Sequence, residues 1–328
     1  MFSTWKRGRM SRSNIVNIVW LIFGAIFFVE IFERVKFLNF AFTSNFPFNN
    51  TLAGNYTLIQ LGIMFLFCVL ETVLPKAGVK KSAKSFLVNL KVYIFNFLWV
   101  PFAGILFAEV FTKISGSLGL GLINLSYMKQ WGWFGVALEF IISFFVFDFF
   151  YYWLHRATHE NVWLWQQHKV HHLDRSVSAM FRDNFLEPIF EWAAITIPLS
   201  VLFKFDTFNA YVFSLIVGTM IVWIHMNSRV ELGWFSRIIV GPQNHRIHHS
   251  TDPEKFMSNY ATYFPFWDIV FGTYRHPKKG EWGSTGVEDQ PDFENWKDAQ
   301  SYPFRQWKRM FSDRFSSKGK KFDKDKYW

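Results

Sequence analysis

The sequence has almost no cysteine: among 328 residues, Cys68 carries the one thiol. A single cysteine excludes an intramolecular disulfide framework, a zinc site built from thiolates and an iron–sulfur cluster. The sequence also lacks a G-x-G-x-x-G motif after a predicted strand, which is the signature of dinucleotide binding. We therefore expect any electrons that the protein's chemistry consumes to come from a separate partner.

Charged residues are also scarce, at 18% of the sequence, while hydrophobic residues make up 51% and include 42 Phe and 16 Trp. This composition is too apolar for an ordinary soluble surface. The apolar residues fall into blocks that are close to bilayer length or form a pair of shorter pieces. We predict an all-α, multi-pass membrane bundle of about four spans and one hairpin that spans or re-enters the membrane: Ile15–Phe32, Tyr56–Leu74, Phe86–Phe111, Trp133–Leu154, and the pair Ile189–Phe203 and Phe208–Ile224.

Acidic residues are fewer than basic ones, and the net charge is +10. The basic residues lie in the tail and in loops beside the apolar blocks, which favours anionic lipid headgroups over nucleic acid as the partner. No small-residue cleavage site follows the first block, so we interpret it as an anchor rather than a signal peptide. Lysine and arginine in residues 6–12 and 76–84 predict a cytoplasmic N terminus. The same count of spans places a histidine-rich cap after His155 in the cytoplasm.

Three regions are predicted along the chain, with no internal repeat. Residues 1–131 are expected to form a membrane anchor, residues 132–277 a catalytic domain, and residues 278–328 a basic C-terminal tail. In the tail, aromatic residues recur at helical spacing between lysines and arginines. This pattern suits an amphipathic helix in the membrane interface, and the alternative is a helix that packs on its own domain. The aromatic residues concerned are Phe304, Trp307, Phe311 and Phe315.

The ten histidines all lie between His155 and His276, and nine of them fall into four groups before residue 250. Residues three and four apart share one face of a helix, so each group can aim two or three imidazoles at one point. Neutral imidazole binds iron, copper, nickel and zinc, and one tetrahedral ion takes only four ligands. The sequence therefore predicts two metal ions. The groups are His155 and His159 in H-x-x-x-H; His168, His171 and His172 in H-x-x-H-H; His225 alone; and His245, His248 and His249 in a second H-x-x-H-H.

Two histidines, His225 and His276, stand outside the paired spacing and each has a structural interpretation as well. An isolated histidine at an apolar helix end, as His225 is, is usually a satisfied core or interfacial residue. The presence of the other groups favours a metal ligand here. His276 breaks the spacing and is interpreted as structural. The zinc-protease motif H-E-x-x-H is absent, because Trp163 occupies the position of its second histidine.

A carboxylate inside an apolar span is a candidate hydrogen-bond acceptor for a metal-ligand histidine. Asp148 lies seven residues before His155, two helical turns away on the same face. Because a buried carboxylate at membrane depth is costly, we predict that Asp148 accepts a hydrogen bond from a ligand histidine. Glu187 and Asp268 are weaker candidates for the same role, and each also suits a carboxylate at a helix end.

With these residues in view, the chain resembles the fatty acid hydroxylase and sterol desaturase superfamily. The resemblance implies a membrane-embedded di-iron centre, facing the cytoplasm, that uses O2 to hydroxylate or desaturate a lipid, with the nine grouped histidines as ligands. It also implies an electron donor of the cytochrome b5 or ferredoxin type, or a reduced pterin. The segments that carry the resemblance are Asp148–His159, Leu164–His172, His225–Asn227, Asn244–Ser250, Asn259–Tyr260 and Phe266–Thr273.

The chain departs from the superfamily pattern at two positions. Some members have a second histidine four residues after the position of His225, where this chain has Arg229, and many bacterial members have a histidine where Asn184 aligns. Within the superfamily we favour hydroxylation over desaturation, and an ether-lipid monooxygenase is a further possibility. The alternative from another functional class is a histidine-rich membrane protein that binds or transports a metal without redox catalysis.

Overall fold

The computed structural model describes residues 84–96, 98–100, 121–174, 182–204, 207–287, 292–316 and 325–328, together with isolated positions elsewhere. The chain divides into two compact units, Met1–Leu74 and Pro75–Trp328, and every feature below belongs to the second unit. The predicted spans Ile15–Phe32 and Tyr56–Leu74 lie wholly or largely outside the described residues, and so does the second half of Phe86–Phe111.

Helices make up the described part of the chain, where β structure is limited to two isolated bridges. The all-α prediction is confirmed for these residues. A helix over residues 84–96 comes first, and a π-helical turn, Trp192–Thr196, later joins α3 to α4. The named helices are α1 (Gly132–Glu160), α2 (Val162–His172), α3 (Glu187–Glu191), α4 (Ile197–Leu202), α5 (Thr207–Ile224), α6 (Pro242–His248), α7 (Pro253–Phe256), α8 (Phe266–Val270) and α9 (Trp296–Ser316).

Helix α1 is the main part of a candidate membrane span. A 3-10 turn, Leu125–Trp131, leads into it, and Gly132 makes the bend between them with a φ of 65°. Among the described residues, Leu125–Glu160 is the one helical stretch long and apolar enough to cross a membrane, with a hydropathy of 1.9. The predicted span Trp133–Leu154 is therefore part of a longer helix that continues through His155 and His159.

The predicted hairpin is helical in both of its halves. Its first half is α3, the π-helical turn and α4, and its second half is α5. Among the residues of α5 whose side chains the structure describes, the apolar stretch Leu215–Ile224 is shorter than a membrane span. The number of spans and the cytoplasmic orientation of the histidines therefore stay predictions.

Asn161 sets the corner between α1 and α2. Its backbone N–H donates to the carbonyl of Ala157 and closes α1. Its Oδ1 accepts hydrogen bonds from the backbone N–H groups of Trp163 and Leu164, which satisfies the free donors at the start of α2. The histidines at the end of α1 and those along α2 are therefore brought together by a single capping residue.

The C-terminal helix α9 packs against α2. Trp307 Nε1 donates to the carbonyl of Trp163 at 2.8 Å, and the rings of Trp163 and Phe311 lie 4.9 Å apart. Met310 is fully buried, whereas most of Phe315 is exposed. This packing supports the alternative in which the tail helix covers its own domain. The domain boundaries after residues 131 and 277 stay predictions.

Candidate metal centre

The nine grouped histidines are all buried, where α1, α2, α6 and the residue after α5 approach one another. They form two groups, and within each group the possible ligand nitrogens lie within 4.8 Å of one another. The five-histidine group contains His155, His159, His168, His172 and His248, and the four-histidine group contains His171, His225, His245 and His249. The groups are neighbours, because the rings of His172 and His249 stack with their centroids 4.2 Å apart.

Each H-x-x-H-H motif serves both groups. At about 100° per residue, the first and fifth positions of the motif lie about 40° apart around a helix, while the fourth lies about 60° to the other side. On α2, His168 and His172 accordingly belong to the five-histidine group and His171 to the four-histidine group. On α6 the arrangement is reversed, and only His248 joins the five-histidine group. Each motif therefore aims two of its imidazoles at one group and the third at the other.

The Nε2 atoms of the four-histidine group form a closed ring. A square with edges of about 3 Å has its centre about 2.1 Å from each corner, which is the bond length between an imidazole nitrogen and an ion such as zinc. The ring therefore has the size that one metal ion requires. The consecutive Nε2–Nε2 distances are 3.2 Å from His225 to His171, 3.1 Å from His171 to His249, 3.0 Å from His249 to His245 and 2.8 Å from His245 to His225.

Backbone carbonyls hold the outer nitrogen of three rings. Because a carbonyl oxygen only accepts hydrogen bonds, Nδ1 carries the proton in each of these neutral rings. Their Nε2 atoms therefore present lone pairs to the interior, as metal ligands do. The Nδ1 hydrogen bonds run from His155 to Tyr260 O at 2.7 Å, from His248 to Ser258 O at 2.9 Å and from His225 to Ile221 O at 2.8 Å.

These lone pairs meet no hydrogen-bond donor. Nε2 of His155 faces Nε2 of His168 at 3.1 Å. Nε2 of His172, Nε2 of His248 and both ring nitrogens of His159 are buried without a hydrogen-bond partner. Facing lone pairs repel, and each unpaired buried polar atom costs about 1–3 kcal/mol, so the cluster as it stands is unfavourable unless a cation occupies it. The residues present therefore fit a pair of metal ions.

Two carboxylates contact the outer nitrogens of histidines on α2. Glu187 Oε1 lies within hydrogen-bond distance of His168 Nδ1, at 3.3 Å, and Asp183 Oδ1 lies 3.2 Å from His171 Nδ1. A carboxylate in this position orients the ring and increases its basicity toward a metal. Glu187 was one of the candidates from the sequence. Asp183 was missed, because it lies in a non-helical segment where spacing carries no information about direction.

Asp148 does not contact a histidine. Its carboxylate oxygens accept hydrogen bonds from the backbone N–H groups of Thr262, Tyr263 and Phe264, at 2.8 to 3.2 Å. The prediction of a direct hydrogen bond to a ligand histidine is therefore wrong. Two turns along a helix are a rise of about 10 Å, so a residue at this spacing shares the face of His155 but not its hydrogen-bonding partners.

The loop Ser258–Phe264 is held by buried carboxylates at two points. Asp148 holds its end, and Asp268 accepts hydrogen bonds from the N–H groups of Tyr260 and Ala261 at 2.8 and 2.9 Å. This loop supplies the two carbonyl groups that hold the rings of the five-histidine group. Asp148 and Asp268 thus reach the histidines through the backbone of one loop.

Burial keeps the site histidines in the neutral form that binds metals. Desolvation, together with repulsion from neighbouring imidazoles, lowers the pKa of His168 to about 3. The same causes lower the pKa of five other histidines well below its usual value: His172, His225, His245, His248 and His249. The rings are therefore ready to bind an ion at neutral pH.

Residues 140–273 match the fatty acid hydroxylase family. Over this segment the chain is similar to the fatty acid hydroxylase and sterol desaturase superfamily. The matched segment contains both histidine groups, Asp148 and the loop Ser258–Phe264. The superfamily assignment from the sequence motifs is therefore confirmed.

Three curated relatives illustrate the superfamily similarity. Alkylglycerol monooxygenase of Xenopus tropicalis is 31% identical over 221 residues, which cover 64% of this chain and 45% of the relative. Human alkylglycerol monooxygenase is 32% identical over 161 residues, covering 47% of this chain and 33% of the relative. An ornithine lipid hydroxylase of Rhizobium tropici is 28% identical over 161 residues, covering 46% of each chain. The alignments thus span less than half of each relative. No solved structure matches the chain.

The residues that depart from the superfamily pattern lie outside both histidine groups. Asn184 is buried, donates to the carbonyl of Gln300 and accepts from the N–H of Leu186, so it has a structural role where it stands. Arg229 is exposed. His276 contacts Ser236 and Tyr274 and takes no part in either group. The nine histidines form the two groups without a residue at either departed position.

Proposed function

We propose that this protein is a membrane-bound, O2-dependent di-iron oxidoreductase that hydroxylates a C–H bond of a lipid. The observation that carries the proposal is the pair of adjacent, buried histidine groups, whose inward-facing nitrogens meet one another or have no hydrogen-bond partner. Two neighbouring ions fit this arrangement better than one, because α2 and α6 each contribute to both groups. When bound there, two reduced iron ions would supply the activation of O2 needed to attack an unactivated C–H bond.

The protein's own residues orient the imidazoles and exclude water from them. The nine imidazoles bind through the nitrogens that point inward, and carbonyl or carboxylate contacts keep the outer nitrogens of five of them in place. The ring of Tyr260 lies 5.3 to 5.9 Å from three rings of the five-histidine group and shields that side from water. Asp148 and Asp268 act as positioning residues, since they hold the loop that carries Tyr260.

A lipid substrate follows from the surroundings and from the relatives. The helix that carries His155 and His159 is long and apolar enough to cross a membrane, so an acyl or alkyl chain can lie beside it without entering water. The relatives named above are lipid monooxygenases or hydroxylases, which supports hydroxylation of a lipid here. An ether lipid of the alkylglycerol class is the first substrate to test. The electron donor is a separate redox protein or a reduced pterin.

Iron content and oxygen uptake of the purified protein test this proposal. We expect two iron ions per chain, and O2 consumption that requires both a lipid and a reductant. Lipid analysis of cells with and without the gene should show a product heavier by one oxygen atom. A loss of two hydrogens would instead support desaturation. Bound metal without O2 consumption, or without any change in cellular lipids, would support the metal-binding alternative.

A further inference from the structure

A second polar cavity lies on the opposite side of α2 from the metal centre. It has a volume of about 470 Å³ and lies between α2, α9 and the C-terminal turn Asp325–Tyr327. Gln166 and Lys169 line it from α2, and Gln306 and Arg309 line it from α9. None of these four residues belongs to either histidine group. This cavity has no role in the function proposed above.

Two buried side chains of α2 have unsatisfied polar groups at this cavity. Lys169 is 1% exposed, and no carboxylate among the described residues lies within ion-pair distance of it. Its nearest recorded contact is the face of the Trp165 ring, with Nζ 5.9 Å from the ring centroid. Gln166 is also 1% exposed, and its Oε1 is buried without a hydrogen-bond partner. A buried ammonium group without a counter-charge costs free energy that a bound anion would offset.

The charges around the cavity are out of balance. Asp313, the acidic residue that lines it, accepts from Lys326 Nζ at 2.6 Å and from the Tyr327 hydroxyl at 2.6 Å. That contact balances one cation. Arg309 and Lys169 remain without an ion-pair partner in the described part of the chain. The cavity therefore presents two uncompensated cations, one buried and one at the exposed side.

We propose that this cavity binds a phosphate-bearing ligand. A lysine and an arginine that face one space suit the charge and the oxygen atoms of a phosphate group. The buried Oε1 of Gln166 would accept a hydrogen bond from a protonated phosphate oxygen or a neighbouring hydroxyl. A cavity of about 470 Å³ is within the range of small-molecule sites and leaves room beyond a bare ion. The phosphate comes from either a soluble phosphate ester or a lipid headgroup.

Two probes distinguish these sources in the full-length protein. The first is inorganic phosphate, added at constant ionic strength to protein in neutral detergent. The second is a pair of lipid nanodiscs, one of phosphatidylcholine alone and one that also contains phosphatidic acid. Thermal unfolding is the measurement, because a ligand that binds the folded protein raises the unfolding temperature. We expect a rise with inorganic phosphate if the ligand is soluble, and a rise only with phosphatidic acid if it is a headgroup.

Single substitutions test whether the cavity is responsible. Lys169→Met keeps the length of the side chain and removes its charge, and we expect it to weaken binding of the effective probe about tenfold or more. Arg309→Gln changes an exposed residue, which should fold normally, and is expected to weaken binding in the same direction. Lys308→Gln is the matched control, since Lys308 is exposed on the same helix but does not line the cavity. The iron content of each variant checks that the other face of α2 is undisturbed.

The outcomes separate clearly. Protection by either probe that Lys169→Met and Arg309→Gln reduce, and that Lys308→Gln retains, supports the site. The proposal is overturned if neither probe protects the unsubstituted protein, or if Lys308→Gln reduces protection as much as Lys169→Met. Neither result depends on lipid oxidation, so the cavity is tested independently of the catalytic proposal.

Discussion

The two histidine groups differ in how firmly the fold holds them. In the five-histidine group, two rings donate to carbonyl groups of the loop Ser258–Phe264, which is itself held by buried carboxylates. In the four-histidine group, His225 donates to a carbonyl of its own helix, and His171 lies beside Asp183, whose side chain is 42% exposed. The first group also has one ligand more. We therefore predict that the four-histidine group would release a bound ion more easily.

Removing one ligand from each group should have the largest effect and should differ between them. We expect His225→Ala and His172→Ala each to lower the rate of lipid oxidation more than about 100-fold. This is more than the loss expected when a residue that only hydrogen-bonds a metal ligand is replaced. His225→Ala leaves three ligands in its group and should retain one iron ion per chain, whereas His172→Ala leaves four and should retain nearly two. Metal analysis of the purified proteins provides the check. Equal iron loss in both variants would contradict the comparison.

Acid should weaken both groups. Burial lowers the pKa of six of these histidines, His168 and the five named with it above, below the usual 6.5, so below pH 6.5 the unfolded chain binds more protons than the folded one. The contribution of these neutral rings to the free energy of unfolding of the metal-free protein should therefore be fully present above pH 6.5. It should decrease as the pH falls, by about 1.4 kcal/mol per pH unit for each such histidine. For His168 the loss continues to about pH 3. Denaturant titrations above and below pH 6.5 measure this change, and a flat profile would argue against neutral buried rings.

Iron release during the same acid titration sharpens the comparison. If the four-histidine group is the weaker one, the loaded protein should lose its iron in two steps rather than one. The variant His225→Ala, which is expected to lack the ion of that group, should then show only the step at lower pH. A single step in the unsubstituted protein would mean that the two groups are equally strong.

Loosening the loop should weaken only the five-histidine group. Asp148→Ala leaves three backbone N–H groups without their acceptor, and we expect a loss of about 3 kcal/mol in the free energy of unfolding. The matched control is Ser143→Ala on the same helix, whose hydroxyl donates only to the carbonyl of Glu139. We expect Asp148→Ala to lose iron and the control to retain it. Unchanged iron in Asp148→Ala would remove Asp148 from its positioning role.

The carboxylates beside α2 should give the smallest effects. Glu187→Gln and Asp183→Asn each weaken the contact to one outer histidine nitrogen, at His168 and His171 respectively. We expect iron affinity to fall about tenfold in Glu187→Gln and less in Asp183→Asn, because Asp183 is more exposed to water. Competition with a chelator measures both affinities. A larger loss in Asp183→Asn would reverse the order that burial implies.

Sequence reasoning identified the members of the site better than their arrangement. Spacing grouped the histidines within each motif, because residues three and four apart share a helix face. The positions of His155 and His225 directly after apolar segments, together with the family resemblance, placed all nine in one region. It did not show that His171 and His248 cross over to the opposite groups, since that depends on how α2 and α6 face each other. The carbonyl groups of Ser258 and Tyr260 had no signal at all, because every residue has one.

The fold was predictable to a similar extent. The apolar run before His155 predicted the central helix, although its end was set too early because histidine does not look like a membrane residue. Asp148 was recognised as unusual from its apolar neighbours. Its partners could not be predicted, because they are backbone N–H groups more than a hundred residues away in the chain.

Helix α1 is uninterrupted from Gly132 to Glu160, so its apolar length and its two imidazoles move as one rigid body. The length of this helix, at a rise of about 1.5 Å per residue, would set how far along a neighbouring hydrocarbon chain the histidines lie. The carbon atom that meets the histidines would then be counted from the end of the lipid that is fixed at the membrane surface. In this way α1 would act as a ruler that selects the position of oxidation.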